Sequence, residues 1–286
     1  MEVLSRHARL DPMEQPPGSQ RWREVLDDDV HGASVLSAKL LRIAAEVADA
    51  EDASMILARL AEQVKMAHPA IPALLNTVQL LREKLPRCRS LAAAARELAK
   101  QIEDDKTTVI AHAVQLISGR PHVMSISYSG LVRDALLAAH QDGVEVHLLI
   151  GEGRPKSEGL LLARELASEG VACTVFADMA FTGFFPQTEL VIVGADAVFT
   201  DTFINKTGTA LLLREARSAD IPTALIYDFT KCVGEELRPK ELPAHPAREI
   251  AGKHASLLPE NLAVVNRYFE EVPRHLIDVD LHEHTQ

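Results

Sequence analysis

The stretch "LVIVGADAVFTDTFINKTGTALLLREARSADIPTALIYD", residues 190–228, decides the fold of this chain. It begins with "LVIVGA" and ends with "PTALIY", two short apolar runs of the kind that form buried strands. Between them, "TALLLREARSAD" carries its apolar residues at helical spacing. A strand, a helix and a second strand in this order predict a βαβ unit, and therefore a mostly parallel sheet.

The same pattern fills the second half of the chain. Further strand-like and helix-like runs are "HVMSIS" (122–127), "VEVHLLI" (144–150), "GLLLARELASEG" (159–170) and "VACTVF" (171–176). They predict a Rossmann-like, mostly parallel sheet domain over residues 119–286. The apolar pattern resumes late, in "VPRHLIDVDLHEHT" (272–285), and predicts that the tail packs on the sheet.

The first half of the chain has helical periodicity. Leu36, Leu40, Ile43 and Val47 recur at helical spacing, and "LAAAARELAKQIEDDKTTVIAHAVQLI" (91–117) predicts one long helix or two abutting ones. The predicted fold class is therefore α/β, with a helical N-terminal domain (21–118) followed by the Rossmann-like sheet domain. The polar residues 1–20, with two prolines and a glycine near their end, are predicted to be a loose leader.

Composition narrows the class of protein. The 286 residues are 47% hydrophobic and 25% charged, which is typical of a globular protein with a core, and the net charge of −11 argues against a nucleic-acid surface. Three separated cysteines indicate a reducing compartment. No apolar run approaches the ~20 residues that span a bilayer. We therefore expect a cytoplasmic protein without membrane or nucleic-acid partners, cofactors or metals; the acidic run 27–29 cannot converge on one ion from a helix.

Candidate site residues follow the predicted strands, because open parallel sheets bind ligands beyond the carboxyl ends of their strands. These segments are Tyr128-Ser129-Gly130, "GEGRPKSEG" (151–159), Asp196 and "DFTK" (228–231). They bring Arg154 and Lys231 to one crevice, with Lys206 close by. "GEGRPKSEG" is not a dinucleotide-binding fingerprint, because the third glycine of GxGxxG would stand at Lys156.

Polar residues lead into the helix that follows "NKTGT" (205–209). Its first N–H groups and its dipole favour an anion, and Lys206 adds a positive charge, so a phosphate can bind there and Asp196 can act on the same ligand. In the alternative interpretation, Thr207 or Asn205 caps the helix and Asp196 caps a loop. The residues between Asp196 and Asn205 are taken as a loop.

These motifs resemble the initiation factor 2B alpha/beta/delta family, which also contains methylthioribose-1-phosphate and ribose-1,5-bisphosphate isomerases. "GAD" (194–196) with "INKTGT" (204–209) is the specific part of the resemblance. It extends through "VHGASVLSAKLLRIA" (30–44), "AHPAIPALLNTV" (67–78), "YDFTKC" (227–232) and "FEEVPRHLIDVD" (269–280). The resemblance covers nearly the whole chain from about residue 28.

The resemblance implies a role for each matching position. Asp196 corresponds to the catalytic carboxylate of the family's isomerases, and Asn205 and Lys206 to the pair that binds the sugar phosphate. Lys231 corresponds to a further ligand contact. The other implied crevice residues are the helix start His31, Gly32, Ala33 and Ser34, together with His68, Tyr128, Ser129, Gly130 and Arg154. The family also implies a homodimer, formed through the C-terminal domain, or a larger homo-oligomer.

The chain departs from the family at the catalytic centre. Ser127 stands where the isomerases have a cysteine, and a serine hydroxyl needs an adjacent base to react. His31 and His68 stand where the family has ligand-binding arginines, and histidine lacks the bidentate guanidinium. The departures favour a protein that binds a phosphorylated sugar or nucleotide and is regulatory or altered in catalysis. The alternative is an active aldose–ketose isomerase of a phosphorylated pentose, in which Ser127, Tyr128 or a histidine replaces the thiol.

Overall fold

The computed structural model describes residues 19–28, 32–47, 52–69 and 71–282. His31 and nearly all of the predicted leader lie outside the described residues. In the described part of the chain, no helix is long and apolar enough to cross a membrane.

The first half of the chain is helical, as its periodicity predicts. The helices are α1 (Ser19–Leu26), α2 (Ala33–Ala45), α3 (Ala53–Ala67), α4 (Pro72–Lys84) and α5 (Leu91–Ser118). Local capping explains several of their starts: Asp52 and Ser90 accept backbone N–H bonds at α3 and α5, and Pro72 opens α4. Apolar residues spaced along α2 are fully buried against these neighbours, among them Leu36, Leu40 and Ile43.

The second half alternates strands and helices. Its helices are α6 (Gly130–Gln141), α7 (Glu158–Ser168), α8 (Thr209–Ser218) and α9 (Arg248–Ala251). Its strands are β1 (His122–Ser125), β2 (His147–Gly151), β3 (Ala172–Phe176), β4 (Leu190–Gly194), β5 (Ala197–Val198), β6 (Thr202–Lys206), β7 (Thr223–Ile226), β8 (Ala244–His245), β9 (Asn266–Arg267), β10 (Phe269–Pro273) and β11 (Val279–Leu281). The predicted α/β fold class, helical first and then a parallel sheet, is confirmed.

The main sheet has six parallel strands in the order β11-β7-β4-β1-β2-β3. Strands β4 and β7, from the stretch that predicts the βαβ unit, are direct neighbours with Val191 opposite Thr223. The tail packs on the sheet as predicted, and it does so by adding the edge strand β11 beside β7. The strand order reverses around β1 and β4, so their carboxyl ends flank the crevice in which such sheets bind ligands.

Helices cover both faces of this sheet. One face carries α6, α7 and the second half of α5, and the other carries α8 with the segment around Phe181. Helix α5 belongs to both halves of the molecule: Leu98 and Ile102 lie in the core of the helical part, whereas Val109 and Ala113 pack on the sheet. The two parts therefore share one continuous helix.

The segment between Asp196 and Asn205 differs from the sequence prediction. It is a hairpin of β5 and β6, and β6 continues antiparallel to β10 in a second, three-stranded sheet. Asn205 and Lys206 are the last two residues of strand β6. The prediction of a loop here was wrong because the partner strand β10 lies more than sixty residues further along the chain.

Candidate functional site

Asp196 lies just beyond the carboxyl end of β4. Its backbone N–H donates to the carbonyl of Ile204 at 2.9 Å, which fixes the start of the β5–β6 hairpin. Burial raises the pKa of the Asp196 carboxyl above its ordinary value, although the ammonium groups of Lys231 and Lys206 lower it. The carboxylate of Glu158 raises this pKa further. A carboxyl group in this setting holds a proton more readily than an exposed one and is suited to proton transfer.

The end of β1 meets the end of β4 through a small-residue contact. A Cβ atom at Gly194 would lie 2.5 Å from the Oγ of Ser129, so only glycine fits at this position. Ser129 caps α6, and its Oγ accepts from the N–H of Val132 at 3.4 Å. Ser127 precedes it in the left-handed region with φ of 62°. This packing brings the Ser127–Gly130 turn beside the strand that leads to Asp196.

Lys231 is buried at the end of a 3-10 turn, Phe229–Lys231. The helical part of the molecule holds this turn: the Asn76 Nδ2 on α4 donates to the carbonyls of Thr230 at 2.9 Å and Cys232 at 3.0 Å. Asp105 on α5 accepts from the N–H of Phe229 at 2.8 Å. Among the described residues, no side chain forms a hydrogen bond or ion pair with the Lys231 ammonium.

Lys206 is also buried, but its charge is matched. The two carboxylate oxygens of Glu158 lie 2.8 and 2.9 Å from its Nζ. The same ammonium lies 5.1 Å from the centre of the Tyr268 ring. Asn205, beside it, donates from Nδ2 to the Thr209 Oγ1 at 3.2 Å. Both members of the predicted ligand-binding pair are thus engaged within the protein.

The predicted anion position at the start of α8 is occupied by a side chain of the chain itself. Glu270 Oε1 accepts from the N–H groups of Gly208 at 2.9 Å and Ala210 at 2.8 Å. Gly208 adopts φ of 104°, which glycine tolerates. The helix start is therefore capped, in line with the capping alternative, but the cap is Glu270 instead of Thr207 or Asn205. A carboxylate on β10 thus takes the two N–H groups at which a phosphate was predicted, and phosphate binding at this helix start stays a prediction.

In the loop after β2, a carboxylate of the chain also accepts hydrogen bonds from backbone N–H groups. Asp178 accepts from the backbone N–H groups of Gly153 and Arg154, each at 2.7 Å. The Arg154 side chain is exposed, and its guanidinium forms no hydrogen bond or ion pair with another residue of the described ranges. Lys156, in the same loop, pairs with Glu249 at 2.9 Å.

The Tyr128 hydroxyl is engaged between α6 and α7. It donates to Glu165 at 2.7 Å and accepts from Arg133 at 2.9 Å. Burial and the Glu165 hydrogen bond raise the pKa of Tyr128. The hydroxyl is thus committed to a structural network on the α6–α7 side of the sheet.

The first turn of α2 lies near the Lys231 turn. Its N-cap, Gly32, has no side-chain cap, Ala33 is buried and Ser34 is exposed. Ser34 and Thr230 line a groove of about 220 Å³ between α2 and α5. The His68 Nε2, by contrast, donates to the Val25 carbonyl at 2.7 Å. The structure therefore brings the α2 start to the Lys231 turn and ties His68 to α1.

Several residues of the site were missed by the sequence analysis. Glu158, Glu270 and Asn76 make its decisive contacts, and Tyr268 stacks on His245 with ring centres 3.5 Å apart. Glu158, Asn76 and Glu270 stood in motifs that the sequence analysis quoted, but none of them had a pattern that predicted its partner. No group of three or more potential metal ligands occurs within the ranges that the structure describes.

Fold and site together define a class of protein. Its helical N-terminal part holds the turn that carries Lys231, and its parallel sheet has Asp196 just beyond the end of strand β4. Residues 30–283 match the model of the Initiation factor 2 subunit family. The chain belongs to this family, and the resemblance identified from its motifs is confirmed.

Proteins with different assigned functions are similar to this chain in sequence. The chain is 28% identical over 204 residues to an eIF-2B subunit 2-like protein of Pyrococcus horikoshii, covering 70% of this chain and 74% of the relative. It is 26% identical over 286 residues to a ribose 1,5-bisphosphate isomerase of Haloterrigena turkmenica, covering 92% and 88%. The family relatives thus include both initiation factor subunits and isomerases.

Solved structures show the same fold. The translation initiation factor eIF-2B of Pyrococcus horikoshii OT3 superposes with a TM-score of 0.77 at 24% identity, covering 94% of this chain and 96% of that one. The 5-methylthioribose 1-phosphate isomerase of the same organism superposes with a TM-score of 0.73 at 18% identity, covering 93% and 83%. At these identities the likeness establishes the fold alone.

Proposed function

We propose that this protein binds a phosphorylated sugar or nucleotide in the crevice between Asp196 and Lys231, and that it is regulatory or altered in catalysis. The observation that carries the proposal is Lys231: the residue is buried, and no side chain in the described part of the chain forms a hydrogen bond or an ion pair with its ammonium. A charge on a buried residue is stabilised by a counter-ion and hydrogen bonds. An ester phosphate supplies both.

The chemistry around Lys231 suits such a ligand. Asp196 is close enough to interact electrostatically with Lys231, and its carboxyl can form a hydrogen bond with a sugar hydroxyl. The exposed start of α2 lies near the Lys231 turn, and its N-cap, Gly32, has no side chain to bond the first N–H groups of the helix. The names of the isomerase relatives are consistent with a phosphorylated pentose.

Ser127 is the reason to favour binding over the full isomerase reaction. A serine hydroxyl reacts only beside a base, and in the described ranges no side chain forms a hydrogen bond with Ser127. Its neighbour Tyr128 is held by Glu165 and Arg133. A group able to replace the family's thiol is therefore not assembled at this turn.

The isomerase alternative rests on a different observation. Burial raises the pKa of the Asp196 carboxyl, and a proton carrier needs a carboxyl that takes up a proton more readily than an exposed one. In this alternative Asp196 moves a proton between C1 and C2 of an opened phosphorylated pentose. NMR detection of a ketose from ribose 1,5-bisphosphate or methylthioribose 1-phosphate, abolished by Asp196→Asn, would establish this alternative and overturn the regulatory one.

The binding proposal is tested by calorimetric titration with ribose 5-phosphate, ribose 1,5-bisphosphate, methylthioribose 1-phosphate and AMP. We expect at least one of them to bind, and Lys231→Met to weaken its binding at least tenfold. Lys240→Met, which removes an exposed lysine in a later loop, is the matched control and should leave binding unchanged. Equal affinities of the two variants would contradict the assignment, and no binding of any probe would contradict the function.

We also propose that the chain forms a homodimer or a larger homo-oligomer. Relatives include a tetrameric eIF2B-beta2-delta2 complex from C. thermophilum, a structure that matches this chain with a TM-score of 0.70 at 16% identity. Exposed apolar side chains occur on α7, on the edge strand β3 and on the turn that follows it, namely Leu160, Leu161, Val175 and Met179. Sedimentation velocity at micromolar concentration should give a mass of at least two chains; a mass of one chain would contradict the proposal.

A further inference from the structure

Glu158 and Lys206 form the most complete ion pair in the crevice. Both carboxylate oxygens contact the same ammonium, at 2.8 and 2.9 Å, and the side chain of Lys206 is only 6% exposed. Glu158 is also the first residue of α7, where the helix dipole favours a negative charge. The Glu158 carboxylate is therefore stabilised both by the Lys206 ammonium and by the dipole of α7.

The pair leaves Lys206 little capacity for a ligand. An ammonium has three donors, and Glu158 takes two of them. The ring of Tyr268, 5.1 Å away, fills a further side of the group. What remains is one N–H of a cation whose charge is already neutralised. Such a group can donate to a hydroxyl, but it does not attract a second phosphate.

Lys231 presents the opposite case. It is equally buried, yet no carboxylate of the described residues contacts its ammonium. Both lysines interact electrostatically with Asp196, so both lie near the same carboxyl group. One of these two cations is therefore neutralised by a carboxylate ion pair, and the other is not.

We infer that Glu158 is a specificity-determining residue, which neutralises Lys206 so that the crevice accepts one anionic ester group at Lys231 and a neutral, hydroxyl-bearing part at Lys206. This inference rests on the proposed function, because it names the ligand class of that same site. The preferred ligands are monophosphorylated sugars or nucleosides. A second phosphate at the Lys206 end must displace the Glu158 carboxylate.

Inorganic phosphate is the simplest probe, because it binds a cationic site without the rest of a ligand. Calorimetry should give one phosphate per wild-type chain and two per Glu158→Gln chain. Glu169→Gln, at the exposed C-terminal end of the same helix, makes the same change in net charge and should bind one. The double variant Glu158→Gln, Lys206→Met should return to one, because the gained site is Lys206.

The outcomes separate this inference from the proposed function. If the wild type binds no phosphate and Glu158→Gln binds one, Lys231 is not an anion site and the proposed function fails, while the role of Glu158 stands. If Glu158→Gln binds no more phosphate than Glu169→Gln does, the inference is overturned.

A second arm uses organic probes and checks ligand preference. The wild type should bind ribose 1,5-bisphosphate no more tightly than ribose 5-phosphate, and Glu158→Gln should favour the bisphosphate at least tenfold. Because an ion pair can be displaced by a ligand, a wild type that already prefers the bisphosphate tenfold would overturn the inference. Thermal unfolding of each variant without ligand verifies that it is folded.

Discussion

At the scale of single residues, Asp196 is held between opposing influences. Burial favours its neutral form, whereas Lys231 and Lys206 favour the charged form, and the balance raises its pKa. The unfolded chain has the ordinary value, about 3.9. The folded state therefore keeps the proton to higher pH than the unfolded state does. Folding stability falls as pH rises from the unfolded pKa to the folded one, and stays lower above it.

Asp196→Asn should therefore stabilise the protein at pH 7, because an amide of the same shape carries no charge to desolvate. The gain in melting temperature over wild type should shrink as pH falls towards 3, where both side chains are neutral. Thermal unfolding from pH 3 to pH 8 measures this. The control is Asp104→Asn on the exposed surface of α5, which should show no such gain. A lower melting temperature for Asp196→Asn at pH 7 would mean that attraction to the lysines outweighs burial.

Ser127 contributes backbone strain at the same turn. Its φ of 62° costs an L-residue about 1–2 kcal/mol, and more for a β-branched side chain. Ser127→Val should lower the free energy of unfolding by about 2 kcal/mol, whereas Ser127→Gly should lower it by less than about 1 kcal/mol. Urea unfolding compares the two variants. Equal losses would show that side-chain contacts, and not the backbone, set the cost.

At the scale of elements, glycines decide how closely helices approach strands. A Cβ atom at Gly159, in the first turn of α7, would lie 1.9 Å from the carbonyl oxygen of Gly151 on β2. The helix start is therefore pressed against the strand backbone, which also places Glu158 at the crevice. A Cβ atom at Gly130, at the start of α6, would meet no atom within 4 Å.

Gly159→Ala should lower the free energy of unfolding by about 3 kcal/mol or more, since the obstructing atom belongs to the backbone and cannot rotate away. Gly130→Ala, the same change at the start of the neighbouring helix, should stay within about 1 kcal/mol of wild type and tend to stabilise. Denaturant titrations followed by circular dichroism supply both values. A tolerated alanine at 159 would contradict the close contact between α7 and β2.

At the scale of the whole molecule, Asn76 links the helical part to the sheet domain. Its amide holds two carbonyls of the Lys231 turn, and α5 adds the Asp105 contact with Phe229. Lys231 is therefore positioned by helices that precede its own domain in the chain. The geometry of the crevice depends on how the two parts pack.

Asn76→Ala should lower the free energy of unfolding by about 1–3 kcal/mol, because it leaves the buried Thr230 carbonyl and the part-buried Cys232 carbonyl without this donor. Trp22 is the single tryptophan of the sequence and is buried, so its fluorescence reports unfolding. Amide exchange in residues 223–234 should also accelerate, since the turn loses its anchor. Gln79→Ala on the same helix is the control. Unchanged exchange in Asn76→Ala would show that Asp105 alone holds the turn.

The sequence by itself determined the architecture: the helical first half, the parallel strands and the packing of the tail on the sheet. Those features follow from periodicity and capping, which act between neighbouring residues. Only the tertiary structure decided which ammonium or backbone N–H group each carboxylate contacts. Glu270 reaches Gly208 across 62 residues, Glu158 reaches Lys206 across 48, and Asp178 reaches Gly153 across 25. Such pairs leave no local pattern, because their partners are far apart in the sequence and meet only in the folded structure.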